Sequence, residues 1–230
     1  MKPFFKSYGF ILFWLIAMVD IVAISFHNQQ IPFIAKPLLL PVLMITVFSS
    51  SHNSDRRWLI MIGLFFSFAG DIFLLFEESN SLFFILGLAS FLITHVFYIL
   101  FFLSPKKGGR SLLIQKPFLI LLVTVYSGVL LFLLIPKLGA LTVPVVLYAV
   151  ILSTMFLCSL YVYNNVRRAA GSLFIAGAGF FVISDSLLAI NKFYTALPVA
   201  GFFIMITYCL AQYFIVKGFI KMQRSSFAEK

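Results

Sequence analysis

The chain has 230 residues, 62% of them hydrophobic and only 10% charged, with 17 lysines and arginines against seven acids for a net charge of +10. Soluble domains are nearer half apolar and a quarter charged, so this composition, with its 30 phenylalanines, excludes a soluble globular fold. It describes an integral membrane protein.

A spanning helix needs roughly 20 mostly apolar residues, and eight such runs follow one another at 8–26, 32–50, 58–76, 82–103, 117–135, 141–160, 170–190 and 197–217. The fold expected is therefore all-α, a polytopic bundle of eight transmembrane helices forming a single integral membrane domain over residues 1–230. The joints are short and polar ("HNQQ", "EESN", "SPKKGGR", "YNNVRR"), too short to bury a core of their own, so an active site has to lie within the bundle.

The first span begins like a signal peptide, with basic residues ahead of an apolar run. It is long, however, carries Asp20 and lacks a small-x-small cleavage site, and reads as a retained helix. Span 2 places Lys36 about one turn inside its outer end. Span 3 contains "FSFAGDIFLLFE", with Asp71 in the middle of membrane-grade residues, and span 4 contains "THVFY", with His95 and Tyr98. Cys158 in span 6 and Cys209 in span 8 have no metal or redox spacing. Span 7 carries Asp185 in "FFVISDSLLAINKF", followed by Lys192, and span 8 carries Tyr208 and Gln212 in "YCLAQY".

Charge orients the bundle. With eight spans, all basic residues except Lys36, Lys137 and Lys192 fall on the side of the N-terminus, a strong positive-inside bias. Both termini are expected in the cytoplasm, in the cell (inner) membrane. The net charge follows from that bias and from contact with anionic lipid heads, which leaves no reason to invoke nucleic acid.

An ionisable side chain inside a span costs at least ~2.5–3.5 kcal/mol on insertion scales and is a functional candidate by default, although polar groups also join helices to one another. At ~1.5 Å of rise per residue, Asp20, Asp71 and Asp185 all lie in the outer half of the bilayer, with Lys36, Lys192 and His95 near them in depth. That segregation describes a polar cavity, in which Asp71 and Asp185 are expected to approach one another with His95 and Tyr98 on the wall. Thr94 and Tyr98 are i, i+4, and His95 and Tyr98 i, i+3, so they project together. Lys192 lies two turns beyond Asp185, either above the carboxylate or snorkelling to the headgroups. Asp20 fits a site or a helix contact equally. Gly63, Ser67, Gly70, Gly171, Gly177 and Gly179 read as small residues for close helix packing.

Spans 3 and 7 share the pattern D-x-x-L ("GDIFL", "SDSLL"), and each precedes a span with polar groups on one face. A four-plus-four repeat about an axis along the membrane normal would produce this arrangement.

"GDIFL", "THVFY", the "KP" of span 2 and above all "GAGFFVISDSLLAINKF" resemble the YhhN family of eight-span membrane proteins, whose characterised activity is lysoplasmalogenase. The resemblance implies hydrolysis of the vinyl ether bond of a lysoplasmalogen to a fatty aldehyde and glycerophosphoethanolamine or glycerophosphocholine. It places the family's motif carboxylates on Asp71 and Asp185 and its histidine–tyrosine pair on His95 and Tyr98. Membrane lipid and a lysophospholipid substrate are the partners it implies.

The chemistry suits those residues. A vinyl ether resists base and yields to acid: protonation of its outer alkenyl carbon gives an oxocarbenium ion, which water captures as a hemiacetal that collapses to aldehyde and alcohol. The reaction needs a carboxylic acid that keeps its proton near neutral pH, which burial favours, and an anion facing the cation, as in glycoside hydrolysis. The sequence does not say which aspartate takes which part. Lys36 and Lys192 are candidates for the phosphate, with Asp20, Tyr208 and Gln212 as further substrate contacts. No cofactor is implied and no metal, since His95 in a span and His27 and His52 in loops on opposite sides do not make a clustered ligand set. The alternative is a proton-coupled transporter of lipids or small molecules, which intramembrane ionisable groups also serve.

Overall fold

A computed structural model describes residues 2–26, 30–50, 55–105 and 109–227. Lipid offers no partner for a free backbone amide, so an apolar chain that crosses it as a single segment must satisfy its hydrogen bonds within a helix. The described residues contain eight long helices of 21–28 residues and one short one: α1 Lys2–Ser25, α2 Gln30–Ser50, α3 Asp55–Leu75, α4 Ser81–Leu103, the four-residue α5 Leu112–Gln115, α6 Phe118–Leu138, α7 Thr142–Val162, α8 Arg168–Ala189 and α9 Ala200–Phe227. They contain no strand. His27, His52, Lys106 and Lys107 lie outside the described residues.

Seven helical stretches among the described residues are long and apolar enough to cross a membrane, which makes this a multi-pass membrane protein. One stretch, Phe118–Asn165, is 48 residues long and contains both α6 and α7. It is interrupted where α6 ends at Gly139, whose φ of +52° is open to glycine at little cost, and a 3-10 turn at Gly139–Leu141 leads into α7. Ser127 on α6 meets Ser153 on α7 at 2.7 Å, so the two halves run back along each other.

The helix ends depart from the apolar runs in two places. The first helix begins at Lys2 rather than residue 8, and α9 continues to Phe227, ten residues past the expected end. Hydropathy marks where lipid ends, whereas a helix continues until something caps or breaks it. A third difference is α5, for which Ser111 supplies the N-cap by accepting a hydrogen bond from the Leu113 amide at 3.2 Å.

The chain divides into two compact units, Met1–Phe101 with Phe219–Lys230, and Phe102–Gly218. In the first, α1 packs on α2 and α2 on α3. The α3–α4 contact is close because glycines line it. A Cβ at Gly63 would stand 2.5 Å from the Tyr98 ring, and Cβ atoms at Gly70 and Gly87 would stand 2.8 Å from Phe91 and 2.9 Å from Leu74. In the second unit α7 packs between α6 and α8, and α9 seats on α8 at Gly177, where a Cβ would meet Ile215 at 2.7 Å. The Ser184 hydroxyl donates to the Ile204 carbonyl across the same seam. Helix α8 closes in a five-residue π turn, Ile190–Tyr194, and the Asn191 side chain accepts from the Leu197 amide at 2.9 Å to fix the joint into α9.

Candidate active site

The first unit contains Asp20, Lys36, Asp71, His95 and Tyr98. Its best-defined polar feature is the α3–α4 seam. Ser67 on α3 donates to Thr94 Oγ1 on α4 at 3.1 Å, and the Thr94 hydroxyl in turn reaches two carbonyls, Gly63 at 3.1 Å and Ser90 at 3.2 Å. Tyr98, one turn along from Thr94, shares a side-chain hydrogen bond with Ser67 and lays its ring on Gly63. Thr94, His95 and Tyr98 are all completely buried, and Asp71 is 3% exposed. Thr94 and Tyr98, i, i+4 on α4, both face α3.

Asp20 on α1 is fully enclosed, and neither of its carboxyl oxygens has a hydrogen-bond partner among the described residues. Lys36 on α2, half-buried, is its electrostatic neighbour. A buried carboxyl without hydrogen bonds is costly, which makes the Asp20–Lys36 pair a genuine polar feature of the α1–α2 hairpin.

The second unit contains Asp185, Lys192, Tyr208 and Gln212. Asp185 on α8 is half-buried, and Tyr148 on α7 donates a 2.7 Å hydrogen bond to its Oδ2. Reading the sequence missed Tyr148. One tyrosine in an apolar span carries no local signal, and only the packing of α7 on α8 shows its partner. Lys192 is exposed and lies in the π turn. A π turn takes more residues per revolution than an α-helix, so the two-turn spacing drawn from Asp185 to Lys192 does not hold along an unbroken α-helix. Tyr208 and Gln212, one turn apart on α9, are buried and joined at 3.3 Å, the Gln212 amide donating to the tyrosine hydroxyl. The Tyr208 ring also meets Phe181 edge-on at 5.9 Å. In the same unit α6, α7 and α8 form a cavity of about 270 Å³ lined in part by Tyr126, Ser127, Ser153, Gly179 and Ser186. None of the three hydroxyl residues from α6 and α7 figured in the sequence reading. Gly179, expected to serve packing, lines open space instead: a Cβ there would meet only Phe156, at 3.6 Å.

Apolar helices of spanning length, with carboxyl, imidazole and hydroxyl groups buried among them, define a polytopic α-helical membrane protein with intramembrane polar sites. The chain belongs to the YhhN family, whose sequence model matches residues 31–219. It is 34% identical over 173 residues to the human protein lysoplasmalogenase TMEM86A, covering 72% of this chain and 65% of that one. It is 32% identical over 179 residues to the mouse lysoplasmalogenase TMEM86B, covering 76% and 70% respectively. The matched part thus spans about two thirds of the length of these relatives. No solved structure matches the chain.

Proposed function

We propose that this protein is a membrane hydrolase of the lysoplasmalogenase type, which cleaves the vinyl ether bond of a lysoplasmalogen to a fatty aldehyde and glycerophosphoethanolamine or glycerophosphocholine. The observation that carries this reading is the similarity over roughly three quarters of the chain to proteins named for that activity, together with membership of their family. Asp71 and Asp185 supply the two carboxyl groups. One donates a proton to the outer alkenyl carbon; the other, as the anion, faces the oxocarbenium ion. Water adds to that ion, the hemiacetal releases aldehyde and glycerol hydroxyl, and the proton lost from water returns to the donor carboxylate. His95 and Tyr98 complete the catalytic set. Lys36 and Lys192 contact the phosphate, with Asp20, Tyr208 and Gln212 as further substrate contacts.

The eight long helices form eight spans in the cell (inner) membrane, with both termini cytoplasmic. Support comes from the positive-inside bias and from the α6–α7 turn at Gly139, which divides the 48-residue stretch into two 21-residue helices. Each compact unit contributes four long helices, with D-x-x-L in α3 and in α8, in keeping with a four-plus-four repeat.

The test is aldehyde release by the purified protein in detergent from a lysoplasmalogen. Hydrolysis needs no gradient, whereas transport does. Since transfer of a proton to carbon limits the rate in this scheme, turnover in heavy water should fall clearly below that in light water. Absence of aldehyde from an intact, folded preparation would refute the hydrolase.

A further inference from the structure

The α6–α8 cavity of the second unit has a wall of mixed chemistry. Most of it is aliphatic and aromatic, including Leu122, Leu130, Leu152 and Phe156. Two hydroxyl pairs cross it. Ser153 donates to the Ala149 carbonyl at 2.6 Å, so in its 2.7 Å contact with Ser127 it is the acceptor. Tyr126 donates to Ser186 Oγ at 2.8 Å. The first pair is satisfied internally and presents little polarity to the cavity. In the second, Ser186 accepts and retains its own proton for an acceptor in the cavity. The polar side chains on the cavity wall are those of Tyr126, Ser127, Ser153 and Ser186; the Tyr148–Asp185 hydrogen bond lies outside the lining. Its rim includes Tyr126 and Ile183, each 46% exposed, which opens it to the outer surface of the helices, where lipid lies.

A ligand matched to these features has a long apolar part and a polar end, and enters sideways from the bilayer. We propose that the cavity receives the alkenyl chain of a single-chain ether lipid, with its polar end at Ser186, and that Gly179 sets how long a chain is admitted. This rests on the hydrolase reading and adds to it the place where the chain lies. Gly179 is the natural control point. A Cβ there would meet only Phe156, at 3.6 Å, whereas one at Gly177, on the α9 seam, would strike Ile215 at 2.7 Å and the Ala211 carbonyl at 3.0 Å. Enlarging residue 179 therefore fills the cavity without disturbing the α8–α9 seam.

The experiment uses the whole protein in lipid nanodiscs and a lysophosphatidylethanolamine ether analogue with a diazirine at the end of its chain. Cross-links are expected within 122–130, 149–156 and 179–186. An excess of unlabelled single-chain ether lipid should displace them and an excess of diacyl phosphatidylcholine should not; Gly179→Leu should weaken them. Labelling spread evenly over the lipid-facing helices, or displaced equally by the diacyl lipid, would mean surface lipid only and overturn the proposal. In parallel, Gly179→Leu should lower the ratio of kcat/KM for a long-chain over a short-chain lysoplasmalogen by roughly tenfold, the scale of one or more misplaced methylenes in an apolar pocket. An unchanged ratio would also overturn it. If the wild-type protein released no aldehyde from either chain, the hydrolase reading would fail, and the cross-link map alone would decide the cavity.

Discussion

Asp71 and Asp185 sit in the same four-residue pattern on two apolar helices, and their surroundings differ. Around Asp71 the helices close up: glycines at 63, 70 and 87 let α3 and α4 approach until rings and aliphatic side chains fill the seam, and the remaining polar groups, Ser67, Thr94 and Tyr98, bond across it. At Asp185 the helices α7 and α8 also meet, but they part on the next face of α8. Tyr148 fixes the carboxyl at 2.7 Å, and a cavity of about 270 Å³ opens on the face of α8 that carries Gly179 and Ser186. A D-x-x-L pattern therefore specifies a carboxyl at a given depth and nothing about the space beside it. Neighbouring helices decide that space, through the size of the residues they bring to the contact.

The comparison can be broken most sharply at the carboxyls. Asp71→Asn and Asp185→Asn retain shape and hydrogen-bonding capacity but remove both acid and anion, so each should reduce aldehyde release by about 10²–10⁴-fold, the range of general acid catalysis, in a protein that still elutes as a folded species. Groups that work as one unit are non-additive, so the double variant should be little worse than the worse single one. Near-normal turnover in Asp71→Asn with loss in Asp185→Asn would assign the chemistry to the open region alone.

Packing offers the next test. Gly63→Ala forces a methyl group against the Tyr98 ring and should lower stability by about 1–3 kcal/mol, the usual cost of overpacking, whereas Gly179→Ala should leave the thermal midpoint in detergent almost unchanged. Equal effects would remove the distinction between a filled seam and an open wall.

A smaller effect is expected at Tyr148→Phe, which removes the donor to Asp185 and keeps the ring. Turnover should fall by roughly tenfold, the scale of one hydrogen bond, with KM changing less. A fall in stability with full turnover per folded molecule would make Tyr148 a helix contact only. Thr94→Val should show the least, about 0.6 kcal/mol on average for a hydrogen bond between membrane helices, read by denaturation in mixed micelles. Loss of turnover beyond what that destabilisation explains would give the α3–α4 hydroxyls a part in the chemistry.

The class of this protein was determined by its sequence alone, because the bilayer imposes a length and a composition on any segment that crosses it. Among the described residues the apolar runs became long helices, seven stretches of them long and apolar enough to cross a membrane, with ends that differ most at α1 and α9. The carboxyls within the spans were legible for the same reason, since an ionisable residue among phenylalanines and leucines stands out in any hydropathy reading, and the common face of Thr94 and Tyr98 followed from helical spacing. Tertiary structure alone decided what those groups touch. The Tyr148–Asp185 bond joins residues on different helices, Ser127 finds Ser153 only because α6 turns back at Gly139, and the π turn at Ile190–Tyr194 changes the register in which Lys192 follows Asp185. Glycines at 63 and 179 look alike in the sequence. One meets a tyrosine ring and the other a cavity, because the residue opposite each is supplied by another helix, and no local pattern carries that information.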